Sequence, residues 1–267
     1  MKAVVGLILL AICFFLVCFG NLISPYSYDA IDLMARNEPP SWQHLFGTDD
    51  LGRDLFTRVA QGLRLSLFIG CVAAAIDCLI GVVWGASAAL LGNRIDTLMM
   101  SCIDILAAIP YSILTIVLLV VMDPGIISVI AALVVSGWIT MARLMRSHVL
   151  TLVSKEYVIS ARLVGAGFFR VLFRHVLPNS VEIITTTLLL TIPQAIFLES
   201  FLSFLGLGVP PPFASLGRMV QESLSALPYF PWRLLIPAAW ISIAMLAFNL
   251  IGEQWYEKLE CRNDSLT

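Results

Sequence analysis

The chain is short of charge. Of its 267 residues only 13% are Asp, Glu, Lys or Arg, where a soluble domain carries roughly 25%, and 59% are hydrophobic. The apolar runs between the charged clusters reach bilayer-crossing length, for which about 20 residues suffice, and one soluble core does not hide such runs. Lysine is scarcer still. Lys2, Lys155 and Lys258 are the full set, and none ends the Gly-x-x-x-x-Gly-Lys pattern of a phosphate-binding loop. Gly165-x-Gly167 is followed by Arg170, so the dinucleotide pattern fails as well. His44, His148 and His175 lie in separate segments, with no HExxH and no GxSxG elbow. A net charge of −2 offers nothing for nucleic acid. Cys13, Cys18, Cys71, Cys78, Cys102 and Cys261 show neither CxxC nor Cys/His ligand spacing, so they read as small apolar helix residues. The chain is therefore expected to be no enzyme, to bind no metal, and to draw any energy from another chain.

What is present is a set of six apolar runs, at residues 3–23, 65–91, 105–122, 124–142, 182–199 (extending towards Gly206) and 234–252. Helices are the expected spans, because a lone strand leaves backbone groups unpaired in lipid. The first run lacks a small-x-small cleavage site and reads as an uncleaved anchor rather than a signal peptide. Met122-Asp123-Pro124-Gly125 is a turn sequence, which predicts a tight hairpin between the third and fourth runs. Six spans put both termini on one side. If that side is the cytoplasm, Lys2, Arg94, Arg143, Arg146, Lys155, Arg162, Arg170, Arg174, Lys258 and Arg262 lie inside. Arg36, Arg53, Arg58, Arg64, Arg218 and Arg233 lie outside, an asymmetry that agrees with the positive-inside rule.

One membrane domain, 1–267, carries three segments outside the lipid. The external segment 24–64 ends in a stretch where Leu55, Val59 and Leu63 repeat at helical spacing, which predicts an amphipathic helix on the membrane surface. The cytoplasmic segment 143–178 has helical periodicity on both sides of Gly165-Ala166-Gly167, with Pro178 suited to the first turn of the next helix. It reads as two short helices with a permissive glycine bend, whose apolar faces need a partner's groove. The external segment 206–233 opens on Gly206-Leu207-Gly208-Val209-Pro210-Pro211-Pro212, which ends the fifth helix. Asp77 is an intramembrane charge; such groups mark a pathway or partner, or sit neutral or paired at a protein interface. Glu182 and Glu199 are expected at span ends, where solvation is cheap.

Three stretches carry a resemblance. Glu156-Tyr157-Val158-Ile159-Ser160-Ala161-Arg162-Leu163-Val164-Gly165-Ala166, followed by Arg174-His175-Val176-Leu177-Pro178, resembles the EAA loop of ABC importer permeases. His44-Leu45-Phe46-Gly47-Thr48-Asp49-Asp50-Leu51-Gly52-Arg53-Asp54 is similar to the GTDxLGRD element of the dipeptide/oligopeptide/nickel group. Ser203-Phe204-Leu205-Gly206-Leu207-Gly208-Val209-Pro210-Pro211 is similar to that group's SFLGLGxxPP element. Ser160 stands where the group usually has alanine, and Leu216 replaces an expected tryptophan. The resemblance implies a C-type permease (OppC/DppC-like) with an all-α, MetI-like importer permease fold in the bacterial inner membrane, both termini cytoplasmic. It implies a second permease subunit, two ATP-binding subunits that hold ATP and Mg, and an external solute-binding protein, with no cofactor in this chain. Glu156, Tyr157, Ala161, Gly165, Ala166, His175 and Pro178 are then the ATPase-coupling hairpin. Di- and oligopeptides are the expected cargo. Nickel or a metal chelate is the alternative, disfavoured because no His/Met cluster lines one face. A polytopic enzyme would need convergent polar groups at one depth, and a channel would need no docking hairpin.

Overall fold

A computed structural model of the chain describes residues 2–264, and all side chains among them except those of Asn21, Asn93 and 258–264. Met1 and the side chains of Lys258, Cys261 and Arg262, used in the charge and cysteine readings above, lie outside the described residues. The described residues are almost wholly helical, with a single isolated bridge between Thr48 and Asp54. The order is α1 (Lys2–Ile23), a 3-10 turn (Leu33–Ala35), α2 (Leu55–Leu91), α3 (Asn93–Ala107), α4 (Tyr111–Val121) and α5 (Ile126–Val153). There follow α6 (Glu156–Leu163), α7 (Phe168–Val171), a π turn (Leu172–Val176), α8 (Leu177–Phe204), α9 (Leu216–Ser223) and α10 (Trp232–Asp264).

Five helical stretches are long and apolar enough to cross a membrane: Lys2–Gly20, Leu55–Leu91, Ile126–Val153, Phe168–Phe204 and Trp232–Glu257. The α3–α4 pair makes a sixth if counted together, but it is bent by 78°. The expected third span, 105–122, is thus broken. Pro110 has no N–H to donate and restricts Ile109 before it, so α3 stops at Ala107 and Pro110 caps α4 from an extended conformation. The hairpin through Met122–Gly125 does form between α4 and α5, and the Tyr111 hydroxyl ties the pair by donating to the Leu133 carbonyl at 2.8 Å.

A second correction concerns residues 54–64. They do not form a separate surface helix. Asp54 N-caps α2, its side chain accepting from the Thr57 N–H at 3.0 Å, and the helix then runs unbroken for 37 residues, roughly 56 Å at 1.5 Å per residue. The apolar stripe of Leu55, Val59 and Leu63 packs on Cys13 and Leu16 of α1, Leu216 and Met219 of α9 and Ala244 of α10, not on lipid. Arg64 accordingly sits within α2 rather than before a span. Likewise 143–153 belongs to α5, so only 154–167, α6 included, connects that span to the next membrane-length stretch, Phe168–Phe204.

The centre of the bundle is the α2–α5 contact, and small residues let it close. Gly81 and Gly85 of α2, one turn apart, face α5; a Cβ on Gly85 would lie 2.2 Å from the Ala142 carbonyl oxygen. This is the close backbone approach that a small-xxx-small pair permits. The start of α1, the later turns of α10 and the α6–α7 connection lie at one end of the bundle. There Lys2 pairs with Glu257 (2.6 Å), and Arg146 of α5 binds Asp96 of α3 through both carboxylate oxygens. The 24–54 and 205–231 segments occupy the opposite end.

Candidate coupling hairpin, loop clasp and intramembrane pocket

The connection between α5 and α8 is a bracket of two short helices and a π turn. Glu156 opens α6 and Arg162 lies in its last turn, each placed to complement the helix dipole. The helix then ends in a Schellman motif: the Gly165 N–H donates to the Arg162 carbonyl (2.9 Å) and the Ala166 N–H to the Ala161 carbonyl (3.0 Å). Gly165 sits at φ +89°, the left-handed region that favours glycine, with open space where a Cβ would point. Its role is therefore conformational. Ala161 and Ala166 are the two ends of the longer of these bonds, and small side chains keep the bend tight.

The bracket has two faces. Inward, Val158, Val171, Leu172 and Val176 join a core with Val82 and Ala86 of α2 and Met145 and Val149 of α5. Outward, Leu163 and Val164 are 83% and 89% exposed, and Phe169 and Phe173 are 71% and 62% exposed with their rings stacked. Tyr157 and His175 meet across the bracket with ring centroids 6.1 Å apart. Glu156 and Ser160 are exposed. Pro178 stands in the first turn of α8, as expected, although α8 continues directly from α7 and the π turn. Phe168–Phe204 is continuous, and the π turn just before Pro178 widens the ladder where its ring and missing N–H would clash with α geometry. The Asn179 side chain and the Ser180 hydroxyl donate to the His175 and Val176 carbonyls in that turn.

At the opposite end, residues 44–54 form a clasp. Asp49 accepts from the backbone N–H groups of Leu51 and Arg53 (both 2.9 Å) and from Arg53 Nε (2.7 Å). Arg58 lies between Asp49 and Glu222 at 3.4 and 3.3 Å, which links the clasp to α9. Asp54, besides capping α2, holds His44 Nδ1 at 2.9 Å. Beyond α8 a second Schellman motif, with Gly206 at φ +82°, turns the chain: Gly206 N–H bonds to Ser203 and Leu207 N–H to Leu202. Leu216, where a tryptophan was expected, is fully buried against Gly62. These elements hold the loops in place.

The two intramembrane carboxylates differ in kind. Glu199 does not sit at a solvated span end; it is fully buried. Its two oxygens accept hydroxyl hydrogens from Ser66 (2.6 Å), Ser203 (2.9 Å), Ser215 (3.0 Å) and Ser200 (3.4 Å), which pins α2, α8 and the start of α9 together. Glu182 is half-buried in the second turn of α8. Asp77 is 3% exposed and lines a cavity of about 280 Å³ with Tyr111, Ser136, Gly137, Thr140 and Gln194. Its Oδ1 and the Ser136 Oγ are buried without a hydrogen-bond partner. No coupling-hairpin residue lines this cavity, so the sequence-predicted site residues fall into two separate places.

Five helices long and apolar enough to cross a membrane, joined by such a bracket, are the architecture of a polytopic membrane protein. Residues 81–264 match the binding-protein-dependent transport system inner membrane component family, and residues 2–40 match the N-terminal transmembrane domain of oligopeptide transport permease C. The chain belongs to this ABC importer permease family. It is 46% identical to the oligopeptide transport system permease protein OppC of Bacillus subtilis (strain 168), over 97% of this chain and 85% of that protein. It is 46% identical to the dipeptide transport system permease protein DppC of the same organism, over 97% of this chain and 81% of that one. A crystal structure described as an amino acid ABC transporter with histidines superposes with a TM-score of 0.56 at 16% identity, covering 75% of this chain and 94% of that one, which confirms the MetI-like fold.

Proposed function

We propose that this chain is one of two permease subunits enclosing the path of an ATP-driven importer of di- and oligopeptides, with the α6–α7 bracket seated in a separate ATPase subunit. The observation that carries this reading is the division of the bracket into a face anchored on α2 and α5 and a face of exposed Leu163, Val164, Phe169 and Phe173. An anchored inner face makes the bracket move with the spans, and a bare apolar outer face fits a groove. Glu156, Tyr157, Ala161, Gly165, Ala166, His175 and Pro178 are the residues assigned to it: Glu156 and Tyr157 at the contact, Ala161, Gly165 and Ala166 setting the angle, and His175 and Pro178 shaping the junction with α8. ATP and Mg reside on the partner, and this chain supplies no hydrolytic group or cofactor of its own.

On this reading both termini and the bracket face the cytoplasm, where Arg143, Arg146, Lys155, Arg162, Arg170 and Arg174 collect near the span ends. The clasp and the loop after α8 face an external solute-binding protein. ATP binding closes the ATPase pair, the brackets move as levers, and the path between two permeases changes the side to which it opens. Peptide is favoured as cargo because the relatives are named for oligopeptide and dipeptide transport. Competitive uptake of di-, tri- and longer peptides and nickel, in cells with and without the gene, tests it. Peptide uptake lost with the gene is the expected result; nickel uptake lost with peptide uptake intact contradicts it.

A further inference from the structure

Asp77 is held in a way that strands its charge-bearing group. Its carboxylate lies over the backbone of α5 at Gly137, where a Cβ would come within 2.2 Å of Oδ2. Only glycine leaves room for it. Among the described residues no basic side chain pairs with Asp77; Arg143 at the cavity rim is engaged by Asp104, Nη2 to Oδ1 at 2.8 Å. A buried carboxylate oxygen and a buried hydroxyl, Asp77 Oδ1 and Ser136 Oγ, thus keep acceptor capacity that nothing in the fold uses. Natural proteins satisfy such groups, and a buried unpaired acceptor costs stability. A donor from outside the chain, water included, would satisfy both.

The way in carries polar groups among apolar ones. Gln194 and Thr140 are exposed on the same side of the bundle, although they sit in the middle of spans. A neighbouring cavity of about 440 Å³, which shares Tyr111 and Gln194 with the first, adds Ser112 and Asn249. Side chains of this type do not face hydrocarbon without cost, so this face lines a wet path or a partner. A hard divalent cation wants six or more oxygens, and one carboxylate with a hydroxyl falls short. A primary ammonium is the better match. It brings one positive charge for Asp77 and three N–H donors for Asp77 Oδ1, Ser136 Oγ and an amide or hydroxyl oxygen at the rim.

We infer that the Asp77 pocket is a subsite for the terminal ammonium group of a peptide in transit. The inference rests on the importer reading above, and its test separates the two. In the complete transporter in proteoliposomes, with this chain made free of cysteine, Ser136→Cys is reacted with an ammonium-bearing and a sulfonate-bearing methanethiosulfonate. The cationic reagent is expected to react at least about tenfold faster, since a focused negative site raises local cation concentration by about that much or more. Adding Asp77→Asn should bring the two rates together. Asp77→Asn alone should slow uptake of a free-amine tripeptide by about tenfold, the loss of one charge-assisted hydrogen bond, while the yield of assembled complex persists. Ser136→Ala, which leaves charge and packing alone, should slow uptake by a few-fold. Equal reagent rates overturn the inference. So does a charge preference that vanishes in Asp77→Asn while uptake is unchanged, which would fit a lipid ammonium headgroup instead. If the unaltered transporter moves no peptide, the importer reading fails, and the reagent rates still report on the pocket's charge.

Discussion

Replacing Leu163 and Phe169 by aspartate should detach the ATPase subunit without harming the permease. Both side chains point away from the bundle, at 83% and 71% exposure, so almost all of their apolar surface is free to be buried on docking. Fully burying such a side chain contributes about 1.5–3 kcal/mol. The pair therefore accounts for about 3–6 kcal/mol of docking free energy, and a carboxylate in a closed groove adds a desolvation penalty. At about 1.4 kcal/mol per tenfold, either single change should weaken the complex by at least about tenfold, and the double change by at least about a hundredfold. The permease itself should melt as before, because exposed substitutions usually stay within about 0.5 kcal/mol. The assay is titration of the ATPase subunit onto the tagged, detergent-solubilised permease, with thermal unfolding read in parallel. Val158→Asp is the contrasting change. Val158 is fully buried against α2 and α5, so it should lower the melting transition as well. Unchanged retention of the ATPase by a well-folded Leu163→Asp/Phe169→Asp permease refutes the assignment of the outer face.

Gly165→Val has open space but the wrong dihedral; holding an L-residue at φ +89° costs roughly 1–2 kcal/mol. The bracket should change its angle, so that uptake in proteoliposomes falls out of proportion to ATP hydrolysis while insertion persists. Gly85→Val drives its Cβ into the Ala142 carbonyl and should cost about 1–3 kcal/mol of overpacking, seen as a lower unfolding temperature of the isolated permease. Glu199→Leu removes the shared acceptor of four serine hydroxyls and should destabilise the chain by about 1–3 kcal/mol. Glu199→Gln, which keeps an acceptor oxygen, should cost less by the same melt.

The five long apolar helices and the apolar α3–α4 pair were legible because hydropathy reports burial in lipid directly. The break at Pro110 has its signal in the Ile109-Pro110 pair, but a composition count over 105–122 sees only the absence of charge. Leu55, Val59 and Leu63 marked a helix correctly, but an amphipathic stripe does not say whether it meets lipid or protein, and here it meets α1, α9 and α10. The glycine bend was legible for a local reason: left-handed geometry leaves its trace on one residue, Gly165. Glu199 and Asp77 look alike in sequence, each a lone acid in an apolar run. What separates them comes from elsewhere in the fold, the Ser66 and Ser215 hydroxyls in one case and Gly137 with an idle Ser136 in the other. The Gly81–Gly85 pair that seats α2 on α5 was within reach of a search for small residues four apart. Small residues leave no mark on hydropathy or charge, so only their spacing carries the signal.

The central claim is that the α6–α7 bracket is where this permease meets its ATPase. A photo-crosslinker attached at Val164→Cys in the complete transporter, with the other cysteines removed, tests it most directly, since Val164 is 89% exposed at the tip of the bracket. The account predicts capture of the ATPase subunit, with the yield changing between nucleotide-free and ATP-bound complexes. Capture of the external binding protein, or of lipid alone in an active transporter, contradicts it.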